Sequence, residues 1–176
     1  MSNDVRVQDL TDPPASPQIC VRPAVARSSR LFRIFPKDVL RSLTEENICR
    51  HFHKWSLSTE NFNRNSRLQE FYKVLSTNHD GKLEFISTIE AYQYPIYGLQ
   101  WHPEKTPFEW IDKPGMIHST AAIRVSFYSG SFFVSEARKS NHRFPSQEEE
   151  ERALIYNLFP VFNGMKSIFI QNYYFH

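Results

Sequence analysis

His102 and Glu104 stand two residues apart, with Pro103 between them, directly after the strand-like run from Ile96 to Trp101. Where a strand gives way to a loop, an imidazole can accept a proton while a carboxylate orients it from the other ring nitrogen. A base of this kind needs a nucleophile to serve. The chain carries two cysteines, Cys20 and Cys49, and neither is flanked by the glycines that a strained strand-to-helix elbow requires. No serine sits in such an elbow either, so the residues supply a base and its orienting acid but no nucleophile. His51 and His53 alternate and could share one face of an extended segment as a metal pair. No third ligand at suitable spacing accompanies them, so neither a metal nor a cofactor is expected. His79, His118, His142 and His176 read as structural histidines.

The elements that must position these residues follow from periodicity. Residues 1 to 27 hold Pro13, Pro14, Pro17 and Pro23 among polar residues without a sustained repeat, the pattern of a disordered leader. Phe35-Pro36 then introduces a short helix through Leu43. Phe52, Trp55 and Leu57 approximate a two-residue repeat and predict a short strand or extended segment, whereas Leu68, Phe71, Tyr72 and Leu75 follow helical spacing with Asn65 as the cap. Asp80-Gly81 lies between two apolar runs and predicts a hairpin. With the run ending at Trp101, residues 73 to 101 read as a β-meander whose last strand delivers His102. Ile123, Phe127, Gly130, Val134 and Ala137 predict a long helix ending near Arg138-Lys139, with that stripe facing the core. Ser146-Gln147-Glu148-Glu149 is a capping box for a final short helix whose apolar face is Leu154, Ile155 and Leu158. Its four glutamates form a solvated first turn.

Composition limits the function classes. The chain has 176 residues, 21 Lys+Arg against 19 Asp+Glu and a formal charge of +2, with the cations scattered, so a nucleic-acid partner is not expected. Fifteen phenylalanines and eight tyrosines beside five glycines describe a chain made to pack. Two cysteines cannot make a disulfide framework. The first thirty residues hold no apolar signal segment, no run is long enough to span a membrane, and no Asn-x-Ser/Thr acceptor occurs. By default such a chain stays in the cytosol, with no membrane partner.

Tyr97-Gly98-Leu99-Gln100-Trp101-His102-Pro103-Glu104-Lys105 resembles the segment of class I glutamine amidotransferase-like enzymes that carries their catalytic histidine and glutamate. Phe52-His53-Lys54-Trp55-Ser56-Leu57, Asp80-Gly81-Lys82-Leu83-Glu84-Phe85-Ile86-Ser87-Thr88 and the stretch from Glu149 to Tyr156 narrow the resemblance to the γ-glutamyl hydrolases. The similarity covers about residues 28 to 176, a partial domain behind a non-homologous leader.

That resemblance implies an α/β fold, the C-terminal portion of a flavodoxin-like sandwich with an incomplete sheet, the meander and covering helices. It also implies cleavage of folylpoly-γ-glutamates by a cysteine thiolate through a thioester. His102 would be the base, Glu104 its orienting acid, and His53 a residue that positions substrate. The family's nucleophile lies in a Gly-x-Cys-x-Gly elbow that has no counterpart in these residues, so the chain is expected to be inactive alone. An alternative is a non-catalytic protein that binds folylpolyglutamate, forms a homodimer, or pairs with a complete relative and modulates it. Family members are typically extracellular, lysosomal or vacuolar, which differs from the compartment that the chain's own residues suggest.

Overall fold

The structure is a computed structural model that describes residues 20–21, 23–48, 51, 53, 55–110, 117–164 and 171–175. A two-residue strand, β1 (Cys20–Val21), is followed by helix α1 (Pro23–Ser28), a 3-10 turn at Phe32–Ile34 and helix α2 (Lys37–Glu45). Then come α3 (Thr59–Arg64), α4 (Ser66–Phe71), and the strands β2 (Tyr72–His79), β3 (Glu84–Ala91) and β4 (Tyr97–Leu99). Short α5 (Lys105–Phe108), long α6 (Thr120–Ala137) and α7 (Gln147–Ala153) lead to the two-residue strands β5 (Val161–Phe162) and β6 (Gln171–Asn172).

The main sheet has the order β1-β2-β3-β4, and β5 pairs with β6 separately; every one of these pairings is antiparallel. The meander expected over 73 to 101 is therefore present as β2, β3 and β4. Its hairpin loop is longer than a two-residue turn: the Asp80 carboxylate accepts the backbone N–H groups of Lys82 and Leu83 at 2.8 and 2.6 Å, and Asp80 N–H donates to Leu83 O. Gly81 supplies the positive φ of 96° that the loop needs. At Gly98 an added Cβ would stand 2.9 Å from Ile89 Cγ1, so β4 lies close against β3 only because that residue lacks a side chain.

Four expectations are corrected. The helix read across Leu68 to Leu75 stops at Phe71, because Tyr72 turns extended and β2 pairs with β3 from Tyr72 to His79, with register shifts on either side of Ser76. Cross-strand pairing outweighed a helical spacing that four residues happened to satisfy. Across 51 to 57, read as a short strand or extended segment, the described residues form no strand; the segment reaches β3 only at its end, through Ile86 N–H to Leu57 O at 2.8 Å and the Ser58–Phe85 bridge, while Trp55 is exposed and Phe52 lies outside the described residues. The third concerns α6, which exists as expected but with another face inward: Ala122, Val125, Ser126, Ser129 and Phe132 are buried, whereas Phe127 and Phe133 are 64% and 73% exposed. Small residues at positions 122, 126 and 129 let the helix approach closely, and the larger rings are left outside. The fourth is the last helix, which ends at Ala153 and leaves Leu154 and Ile155 exposed beside a 3-10 turn; its cap holds, with Ser146 Oγ accepting Glu149 N–H at 3.2 Å. Residues 1 to 19 of the expected leader lie outside the described residues, but β1 and α1 fall within its last part, and Cys20 and Val21 pair with Thr77 and Ser76.

The core gathers Leu31, Phe32, Val39, Leu43, Leu75 and Val125 between α2, α6 and the sheet. Its entry is fastened by a buried carboxylate. Glu90, 4% exposed on β3, accepts Ser29 Oγ–H at 3.0 Å and the backbone N–H groups of Arg30 and Leu31 at 3.0 and 3.4 Å. Ser29 Oγ in turn accepts Phe32 N–H at 3.0 Å. Arg30 donates to the carbonyls of Ala91 and Tyr94 and lies 5.2 Å from the Tyr97 ring centre. Among the described residues no helix is long and apolar enough to cross a membrane.

Replacing Glu90 by Ala leaves the buried Ser29 hydroxyl and the neighbouring N–H groups without their acceptor, and the expected cost is about 2–3 kcal/mol in urea unfolding, against about 1 kcal/mol for Ser29→Ala. Equal unfolding midpoints for Glu90→Ala and the parent chain would show that Glu90 does not fasten this entry.

Candidate functional site

Thr88 is fully buried at the middle of β3, opposite Ser76 of β2 and Leu99 of β4. Its hydroxyl lies 2.7 Å from Ser76 Oγ and accepts the indole N–H of Trp101 at 2.9 Å. A buried indole needs such a partner, and Trp101 is 2% exposed. Gln100 N–H donates to Ser87 O at 2.8 Å, which carries the ladder one residue past β4 before the chain bends at Trp101. Lys105 N–H to His102 O closes the following turn, and Glu104 already has helical angles, φ −74° and ψ −21°, as it starts α5. This turn brings the two side chains together: His102 Nδ1 is 2.7 Å from Glu104 Oε1.

With Nδ1 donating to the carboxylate, the neutral imidazole keeps its proton there and presents Nε2 as the basic atom. Burial alone would raise the Glu104 carboxyl, but the His102 hydrogen bond, the backbone and the nearby Lys105 charge together hold it below the ordinary carboxylate value. The carboxylate therefore stays ionised against the ring. His102 and Glu104 side chains are 35% and 62% exposed, so the pair faces outward.

His53 belongs to a second cluster. His51 Nδ1 lies 2.9 Å from His53 Nε2, and the edge of Phe85 meets both rings, with centroids 5.4 and 5.6 Å away. His51 is only 6% exposed. Burial first, and then the His53 ring, push His51 down to about 4, and His102 adds to the depression. His53 is lowered as well, by burial and then by the charge of His102. All three imidazoles thus lie within electrostatic reach of one another. Among the described residues no group of three His, Cys, Asp or Glu side chains could hold a metal ion.

Cys20 is in β1, followed directly by Val21, and Cys49 lies outside the described residues. Sequence reasoning placed His102, Glu104 and His53 but treated His51 only as half of a metal pair, and it missed Thr88. The alternation His51-x-His53 was the available signal for the first; nothing local announces the second.

An open groove of about 1010 Å³ runs beside Glu104, lined among others by Leu99, Pro103, Phe108, Phe127 and Phe133. Tyr97, also on its wall, packs edge-on against Phe132 and hydrogen-bonds Glu136 at 3.1 Å. Burial and that bond push its hydroxyl up to about 12.

The sequence model of the peptidase C26 family matches residues 17–104, half of the chain and the part that carries His53, His102 and Glu104. This chain belongs to the peptidase C26 family. Its relatives include the γ-glutamyl hydrolase of Homo sapiens, 53% identical over 147 residues, which are 84% of this chain and 46% of that one. γ-Glutamyl hydrolase B of Dictyostelium discoideum is 39% identical over 86% of this chain and 44% of its own length. γ-Glutamyl hydrolase 1 of Arabidopsis thaliana is 38% identical over 80% and 40%. The chain spans somewhat under half the length of each of these relatives. Its mixed α/β architecture with small antiparallel sheets is consistent with part of the class I glutamine amidotransferase-like fold of this peptidase C26 chain.

The depressed imidazoles give a pH dependence of stability. Below 6.5 the unfolded chain protonates His51, while the folded chain refuses that proton until about 4. The unfolded state therefore binds more protons in that window, and stability rises with pH across it, by up to about 1.4 kcal/mol per pH unit. His53 adds in the same direction. Urea unfolding across this window checks the slope, which should flatten in His51→Phe; an unchanged slope would assign it to other groups.

Proposed function

We propose that this chain supplies the histidine–glutamate half of a γ-glutamyl hydrolase site acting on folylpoly-γ-glutamates. The observation that carries the reading is the 2.7 Å His102–Glu104 contact, set within Gln-Trp-His-Pro-Glu in a chain whose relatives are named γ-glutamyl hydrolases. In the proposed reaction a cysteine sulfur attacks the γ-carbonyl carbon as its proton passes to His102 Nε2. Collapse of the tetrahedral adduct breaks the C–N bond, and the departing amine takes that proton, leaving a γ-glutamyl thioester. Water then attacks the thioester carbon while His102 Nε2 accepts its proton, and the thiol is released. Glu104 keeps the imidazole in the required tautomer and stabilises the imidazolium in each half. His53, next to this centre electrostatically, helps position the substrate.

The thiol itself has to come from outside these 176 residues, which contain no cysteine between glycines. The oxyanion-hole donors, which accompany such a nucleophile, come with it. By itself the chain is therefore inactive. The apolar groove beside Glu104 supports a second reading as well, in which this surface pairs with a complete relative and modulates it.

A release assay with a folylpoly-γ-glutamate tests the proposal. The purified chain should free no glutamate, and addition of a nucleophile-bearing segment of a γ-glutamyl hydrolase should restore cleavage. His102→Ala should then lower the rate by about 10²- to 10⁴-fold. Cleavage by the chain alone, or a mixture indifferent to His102→Ala, contradicts it.

A further inference from the structure

We infer that His51 is a positioning residue that holds the His53 imidazole in one tautomer and one orientation. The inference deepens the proposed function and relies on it only for what His53 does; the ring-to-ring coupling itself stands on geometry.

The His51 Nδ1 to His53 Nε2 separation is 2.9 Å, a hydrogen-bond distance between two nitrogens that can each be donor or acceptor. Such a contact is favourable with one proton on the line. Two protons there would clash, and two lone pairs would repel. Neutral imidazole has a single N–H, so choosing the donor fixes both rings: if His51 Nδ1 donates, the His53 proton is on Nδ1, and if His53 Nε2 donates, the His51 proton is on Nε2. The tautomers are therefore correlated, whichever arrangement is taken.

The frame around the two rings is stiff. Phe85 is 1% exposed, is paired with Asn78 across the sheet and bridged to Ser58, and meets His51 at 89° and His53 at 78°. The imidazoles themselves are 5.0 Å apart at 78°. His51 is the inner ring at 6% exposure, while His53 is only part-buried. His53 Nδ1 is itself buried, so water does not set the tautomer there, and a buried neighbour in hydrogen-bond contact with Nε2 is the kind of partner that selects one.

Long-range ¹H–¹⁵N correlation spectra of the full labelled chain at neutral pH read the tautomers directly. The expected result for His53 is one protonated and one bare nitrogen at well-separated shifts, with the complementary pattern in His51. His51→Phe keeps the ring packed on Phe85 but removes the bond, so the two His53 shifts should collapse toward an average. His51→Gln, whose amide can donate or accept on the same line, should restore their separation. Averaged His53 shifts in the parent chain, or unchanged separation in His51→Phe, would overturn the inference. Should His51→Phe not fold, the parent and His51→Gln spectra decide. An inactive reconstituted mixture with the expected His53 pattern would count against the proposed function and leave the coupling intact.

Discussion

The buried hydroxyl of Thr88 is the point on which the site depends. It meets Ser76 on one neighbouring strand and accepts a hydrogen bond from the Trp101 indole N–H just past the other. Each bond is worth about 1 kcal/mol net, but leaving a buried donor unpaired costs about 1–3 kcal/mol, and Trp101 adds the packing of a large ring. The chain therefore has one good arrangement at residue 101, and His102 must emerge where that arrangement ends. The geometry of the His102–Glu104 turn is a consequence of where a tryptophan is nailed down.

β3 repeats this logic along its length. Phe85 at one end braces the two histidines, Thr88 in the middle fixes Trp101, and Glu90 at the other end collects the N–H groups that open the core segment. Polar side chains that would be costly when unpaired become specific fasteners when paired. The same strand thus joins the entry of the core, the histidine pair and the His102–Glu104 pair, so that a change in its register would move all three.

Much of this was legible locally. Asp80-Gly81 announced the hairpin because the turn chemistry lies within a few residues, and Asn65 and Ser146 announced caps for the same reason. His102 and Glu104 were legible because a two-residue motif carries both partners. What the sequence concealed was decided at long range. Leu75 satisfied a helical period yet belongs to a strand, because pairing with β3 was stronger than spacing. The face of α6 was misread because the helix is apolar on both sides, and only the fit of Ala122, Ser126 and Ser129 against neighbouring elements selects the inner one. Thr88 and Glu90 looked like ordinary strand residues, since their partners lie 13 and about 60 positions away.

The outward phenylalanines of α6 and the groove beside Glu104 set the His102–Glu104 pair beside an apolar surface. Thr88, through Trp101, sets the His102–Glu104 contact. The most direct measurement is the Glu104 carboxyl titration, followed by ¹³C NMR in the parent chain and in Thr88→Val. The expected result is a parent value below the ordinary carboxylate range and a rise toward that range in Thr88→Val as His102 shifts away. A carboxyl that titrates equally low in both chains would contradict it.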